Sequence, residues 1–179
     1  DSLPYTFGFF EIKPGTKLIA AKAVVNCDPA LASSLPLMRG RSGVRIEGVS
    51  FVGLGPSSSR SVELCYFSGE RDVKISDCKF GNTAYMALTL GAAFNCRVVD
   101  NEFYGCGKAE ETVEGGPALW IGPVGTTQSS DIWVERNNIH DCEWAGAYLT
   151  GSGIHANHNS IRWCKEAGFF GALTKSELT

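Results

Sequence analysis

"DIWVERNNIHDC", Asp131 to Cys142, returns 22 residues later as "GIHANHNSIRWC", Gly153 to Cys164. In both, apolar residues hold the second and fourth places, Asn the seventh, Ile the ninth and Cys the twelfth. Self-similarity at a fixed spacing identifies an architecture before any single motif does. The frame recurs upstream as "NCRVVDNEFYGC" (Asn95 to Cys106), "DVKISDCKFGNT" (Asp72 to Thr83) and "GVRIEGVSFVGL" (Gly43 to Leu54). The ninth places are Phe51, Phe80, Phe103, Ile139 and Ile161, separated by 29, 23, 36 and 22 residues. The unit is therefore 22 to 23 residues, with surplus inserted near 52–61 and 107–117, where "GLGPSSSRS" and "GKAEETVEGG" concentrate turn residues.

A leucine-rich repeat has a similar length but needs an L-x-x-L-x-L-x-x-N register, which is absent. Each unit instead alternates with period two, as in "VKI", "CRV", "IWV" and "IHA". A second short run follows, "ALTL", "ALWI", "AYLT" or "GFFG". Short alternating runs closed by Gly or Asn are strands. About three strands per turn, each stacked on its equivalent roughly 4.8 Å away, make a parallel β-helix of about five to seven coils. The second, fourth and ninth places then form interior columns, with Val44, Val73, Cys96, Ile132 and Ile154 in one of them. The seventh-place Asn101, Asn137 and Asn159 form a corner ladder, in which Asn is expected to supply the left-handed backbone of the turn.

These rungs, "VERNNIHDCEWAGAYLTG" above all, resemble the right-handed parallel β-helix proteins of the pectate-lyase-like superfamily, which includes pectin-degrading enzymes, polysaccharide epimerases and bacteriophage tailspikes. The resemblance covers Ile12 to Gly171 and implies an all-β, single-stranded right-handed parallel β-helix with loop insertions. It implies a polysaccharide partner, and the tailspike side of it admits a homotrimer. It supplies no active site: there is no epimerase-type Asp-Pro-His, "CDP" at Cys27 to Pro29 lacks the His, and no Ca²⁺ or catalytic motif of the lyases carries over.

Composition agrees with one β-helix domain over 1–179. With 179 residues and 44% hydrophobic content the chain buries a substantial core, and 21 Gly suit a solenoid. A net charge of −3 gives no basic footprint for nucleic acid. No apolar run approaches membrane-spanning length. Neither a cofactor nor a metal site is implied, since no C-x-x-C is present. The start at Asp1 and the absence of an evident cap after "GALTKSELT" suggest a fragment of a longer chain. Of the seven cysteines, Cys106, Cys142 and Cys164 share the twelfth place, Cys96 a second place and Cys78 the corner. A reduced, buried stack is the expectation; its rival is a disulfide between Cys142 and Cys164 on neighbouring coils. An odd number of thiols suits folding in a reducing cytoplasm before release, and so a virion or extracellular protein.

The outward places of the first strand carry Arg45, Lys74, Arg97, Trp133 and His155 at the third and Glu47, Ser76, Val99, Glu135 and Asn157 at the fifth. Val52, Gly81, Tyr104, His140 and Arg162 hold the tenth. A single face combining Trp133, Tyr104, Arg97, Lys74, His155 and Glu135 has the ingredients of a sugar site, with Trp120 and Asn157 as further binders. Hydrolysis needs an acid and a carboxylate roughly 5 to 9.5 Å apart. The pair is expected from Glu135 and the acidic insertion (Glu110, Glu111, Glu114), with Asp141 and Glu143 beyond the next corner of the coil. Trp133 would be a stacking platform and His155 a donor or proton shuttle. A lyase would use His155 as base and Arg97 to neutralise a uronate. The same residues also fit an ordinary solvated surface, and the insertion a solvated loop.

Three functions follow from this reading. The first is a carbohydrate-binding β-helix, tailspike-like, that cleaves or grips a bacterial surface polysaccharide. The others are a structural or adhesive solenoid without catalysis, and a secreted pectate-lyase-like enzyme.

Overall fold

The computed structural model describes residues 5–30, 35–55, 62–107, 116–171, 173–174 and 177–178. Among the described residues six coils are stacked, with first strands Lys17–Cys27, Arg45–Val52, Lys74–Ser76, Phe94–Val99, Ser130–Glu135 and Gly151–Asn157, and Leu173–Thr174 and Glu177–Leu178 pair with the last of these as the start of a further coil. From Lys74 onward each coil repeats the same three strands. One coil, for example, holds Phe94–Val99, Glu102–Cys106 and Leu119–Gly122, and the next holds Ser130–Glu135, Asn138–His140 and Ala147–Leu149. Every pairing between named strands is parallel and joins equivalent places of neighbouring coils, such as Cys96 to Ile132 to Ile154.

The third strands of successive coils form a small seven-stranded sheet. First and second strands belong to one large sheet because Lys17–Cys27 and Arg45–Val52 run through the corner as continuous strands. From Lys74 on the strand is interrupted at the corner, and the large sheet parts into a first wing (first strands) and a second wing (second strands).

Left-handed backbone recurs at the first, sixth and eleventh places of the frame. Asp72, Asn95 and Asp131 (φ 57°, 52° and 54°) open coils; Asp77, Asp100, Arg136 and His158 (φ 54°, 59°, 52° and 57°) turn the ladder corner; Asn82, Asp141 and Trp163 (φ 53°, 54° and 54°) end the second strand. This corrects the expectation that the seventh-place Asn is itself left-handed. The residue before it makes the turn, because the Asn must point its amide inward to join the ladder. Asp and Asn tolerate the αL region through local hydrogen bonds, whereas Arg136 and Trp163 accept a cost of about 1–2 kcal/mol.

The ladder itself forms. The Oδ1 of Asn137 accepts from both the backbone N–H and the Nδ2 of Asn101, each at 3.0 Å. The Oδ1 of Asn159 does the same for Asn137 at 2.9 and 3.0 Å. Asn101 Oδ1 in turn accepts the N–H of Cys78 at 3.0 Å, so the row runs on past the last Asn.

Beneath the corner, Val44, Val73, Cys96, Ile132 and Ile154 form one buried column. Phe51, Phe80 and Phe103 stack with ring centroids 5.3 and 5.0 Å apart and interplanar angles of 9° and 13°. The small sheet contributes Met38, Cys65, Leu88, Leu119 and Ala147, all buried and in register. Cys65, Cys78, Cys96, Cys106, Cys142 and Cys164 are free thiols, all buried except the half-buried Cys164. Burial pushes Cys78 and Cys96 up to about 11, and the adjoining Cys106 thiol together with burial takes Cys142 to about 12. Such thiols behave as small apolar groups. Among the described residues, no helix is long and apolar enough to cross a membrane, and no cluster of His, Cys, Asp and Glu is placed to hold a metal ion.

Candidate functional site

The structure divides the sequence-derived candidates among three surfaces instead of joining them on one. On the first wing, Arg45, Lys74, Arg97, Trp133 and His155 lie in register along one outward row. Arg97, from the preceding coil, sits over the Trp133 ring at 5.1 Å, and His155, from the following coil, stacks on it at 5.4 Å and 17°. Trp133 is thus held between its coil neighbours. The adjoining row brings Glu135 next to Asn157, with Glu135 3.3 Å from the Arg136 guanidinium. In that row Ser76 and Val99 are buried, at 3% and 8% exposure, so the expected fully exposed file is interrupted.

Tyr104 stands on the second wing, across the Asn corner from Trp133, stacked on His140 at 6.2 Å and 19°. Trp120 lies on the small sheet. Glu110, Glu111 and Glu114 fall outside the described residues. The glycines flanking their insertion are placed: a Cβ at Gly116 would meet Met86 at 2.5 Å, and one at Gly107 would meet Trp144 at 3.2 Å. Those neighbours lead into the small sheet.

The small sheet carries an outward row that the sequence reading missed. Arg39, Tyr66, Thr89, Trp120 and Tyr148 succeed one another in register, one per coil, and Thr89, at 2% exposure, is covered, so this row too is interrupted at its middle. Arg39 lies 5.7 Å from the Phe9 ring and 5.8 Å from the Tyr66 ring, and its Nε is buried without an acceptor. Trp120 and Tyr148 stack at 6.0 Å and 7°. Thr89 donates its hydroxyl to Glu63 at 2.7 Å. Burial pushes the Glu63 carboxyl above the usual range, against the opposing pull of that hydrogen bond. A burial-shifted carboxyl beside aromatic and cationic groups on one face has the character of a functional site. The available signal was the alternation in "CYFS", "LTLG" and "LWIG", which turns Tyr66, Thr89 and Trp120 outward. Glu63 gave no such signal, since it precedes its strand and gains its setting only from the next coil.

A second ionic cluster lies on the second wing. Lys79 Nζ is 2.6 Å from Glu102, whose other oxygen is 3.3 Å from His140 Nε2, and His140 Nδ1 is 2.7 Å from Asp141. Burial lowers the His140 pKa, but its hydrogen bonds to Asp141 and Glu102 outweigh it and hold the imidazolium above the ordinary value. A raised folded-state pKa contributes stability that is complete below the unfolded value and is lost as pH rises through the folded one. Unfolding free energy is therefore expected to fall, by less than about 1 kcal/mol because the partner carboxylates are open to solvent, as pH is taken upward through the His140 titration. Urea midpoints measured across that range should flatten in His140→Gln; an equal slope in the variant would show that the cluster does not sense pH.

Comparisons with known proteins follow the architecture. The family model described as the right handed beta helix region matches residues 37–179. No curated protein matches the chain. The A-module of the Azotobacter vinelandii mannuronan C-5 epimerase AlgE6 superposes with a TM-score of 0.53 at 13% identity, over 96% of this chain and 54% of that one. The Dettilon tailspike protein gp208 gives a TM-score of 0.46 at 16% identity, over 98% of this chain and 41% of that one. The chain thus spans about half or less of these structures, and at such identities the likeness is one of fold. With six coils of in-register parallel strands and four-fifths of its length matched by the family model, this chain belongs to the right-handed β-helix family.

Proposed function

We propose that the chain is a carbohydrate-binding β-helix that holds a polysaccharide along the outward row of its small sheet. The observation that carries this reading is the row itself: Arg39, Tyr66, Thr89, Trp120 and Tyr148 in register, beside the half-buried carboxyl of Glu63. Side chains repeat along it about every 4.8 Å, so a linear polymer meets a periodic surface of like spacing. Aromatic groups offer apolar contact to sugar C–H groups, while Arg39 and the half-buried Glu63, held in place by the covered Thr89 hydroxyl, offer directed hydrogen bonds. The shared fold with a mannuronan epimerase module fits a polysaccharide ligand.

Cleavage of that ligand, as in a depolymerase, is the finer form of the proposal. A carboxyl raised above its usual range by burial suits a general acid. Glu63 would take that role, with Glu111 or Glu114 of the insertion as the second carboxylate. Trp120→Ala is expected to weaken binding to a responsive polysaccharide at least roughly tenfold. Glu63→Gln should remove release of reducing ends by two orders of magnitude or more, about the contribution of one acid–base group. A panel of capsular and plant polysaccharides, followed by intrinsic fluorescence, reducing ends and unsaturated-uronate absorbance, checks both. Unchanged affinity in Trp120→Ala would sink the small-sheet site. Glu135→Gln and His155→Ala in the same assays test the first wing.

A further inference from the structure

A groove of about 460 Å³ opens along the Asn corner, between the two wings of the large sheet and away from the row that carries Glu63. Its floor is the buried ladder at Cys78 and Asn101. The sixth-place residues Asp77, Asp100 and Arg136 line one side, and the eighth-place residues Lys79, Glu102 and Asn138 the other. Three coils contribute, so the walls run roughly 10 Å along the solenoid axis. The volume lies in the range of small-ligand pockets.

We propose that this groove is a separate saccharide site for a neutral, hydroxyl-rich segment of disaccharide length. The charges decide the ligand class. Arg136 donates a two-pronged pair to Asp100, Nε to Oδ1 at 2.7 Å and NH2 to Oδ2 at 2.8 Å. Lys79 is 2.6 Å from Glu102. These bonds hold both carboxylates below their usual range, Asp100 through Arg136 and Glu102 through Lys79 and then His140. Both therefore stay ionised and accept only.

Each cation of the groove is committed to a carboxylate, and Asp77 adds a third anion, so the lining carries three negative groups against two positive. A uronate, sulfate or phosphate would meet net repulsion. A neutral polyol meets acceptors on the middle coil and donors on the next. There Arg136 is accompanied by Asn138, whose Oδ1 already accepts from Arg162 at 3.2 Å and whose NH₂ remains to donate. Exposed ion pairs of this kind add little to stability. What they do is fix long side chains in one geometry, which lowers the ordering cost of a ligand that uses them. The ligand class rests on the carbohydrate reading above, but the site does not.

The experiment is a ¹H–¹⁵N NMR titration of the full chain with neutral hexasaccharides of α- and β-linked glucose, mannose and galactose, with hexagalacturonate and calcium chloride as separate arms. The Arg136 Nε–H and Asn138 side-chain amide report the groove, and the Trp120 indole reports the small sheet. A saturable neutral-sugar response at Arg136 and Asn138 is expected, weakened roughly tenfold in Asn138→Ala while the Trp120 response is unchanged. Asn138→Ser, which keeps a donor, should recover part of the affinity. Stronger response at the groove to hexagalacturonate or to calcium than to neutral sugars would overturn the assignment. Shifts confined to the Trp120 indole would overturn it while leaving the proposed function standing. Shifts confined to the groove would support it and remove the small-sheet site, and silence at both places would end both.

Discussion

Asn137→Ala is expected to lower the unfolding free energy by about 3 to 6 kcal/mol, a large part of what a domain of this size possesses. The side chain is 1% exposed and serves three buried groups. It accepts from the backbone N–H and the Nδ2 of Asn101, both at 3.0 Å, and donates to the carbonyl of Val98 at 2.9 Å. Alanine leaves these with nothing to bond, and each orphaned buried polar group costs about 1–3 kcal/mol. Water cannot readily replace the amide where the neighbouring columns are closely packed. The half-buried Asn159, last in the ladder, bonds Asn137 and the carbonyl of Val134, so Asn159→Ala is expected to cost clearly less. Urea unfolding with a common slope checks both; equal losses would mean that the ladder is not cooperative and that each Asn acts only as a turn residue.

Phe80→Ala should cost about 3 to 5 kcal/mol. Phe80 is fully buried between Phe51 and Phe103, one ring from the coil below and one from the coil above. Removing the middle ring deletes both stacking contacts and leaves a cavity bounded by two rings held in neighbouring strands. Those rings cannot collapse inward without shifting the in-register pairing of Phe51, Phe80 and Phe103. Phe80→Leu should recover most of the loss by refilling the volume. A melting temperature unchanged in Phe80→Ala would show that the column is not packed as described.

Much of the fold was legible in one dimension because a solenoid makes its long-range contacts at a constant sequence offset. The recurrence of Val, Ile, Phe, Asn and Cys at fixed places specified which residues stack. The parallel pairings of Cys96 with Ile132 and Ile154, and of Phe51 with Phe80 and Phe103, follow that frame. The placement of the left-handed residue was less legible. Asn is a common αL residue, yet here its amide is used in the ladder and the preceding Asp, Arg or His bends the chain.

The candidate site was legible only in its parts. Period two told which side chains point outward, so the rows containing Trp133, His155, Glu135 and Tyr104 were available from the sequence. Whether two rows share a surface depends on the bend at each corner, which is set by the left-handed residue at the sixth place, Gly48 within Arg45–Val52 and Asp77, Asp100, Arg136 or His158 in the coils after it. That bend separates Trp133 from Tyr104 and sets Trp120 on another sheet. The sequence alone thus determined the repeat, the interior columns and the Asn ladder, because those depend on spacing and polarity. Only the tertiary structure decided that Arg97 and His155 enclose Trp133, that Glu63 accepts from the covered Thr89 hydroxyl, and that Asp100, Glu102 and Arg136 border one groove. Those relations arise from side chains reaching between coils, and their reach is fixed by the angle of the corners and the size of the neighbours above and below.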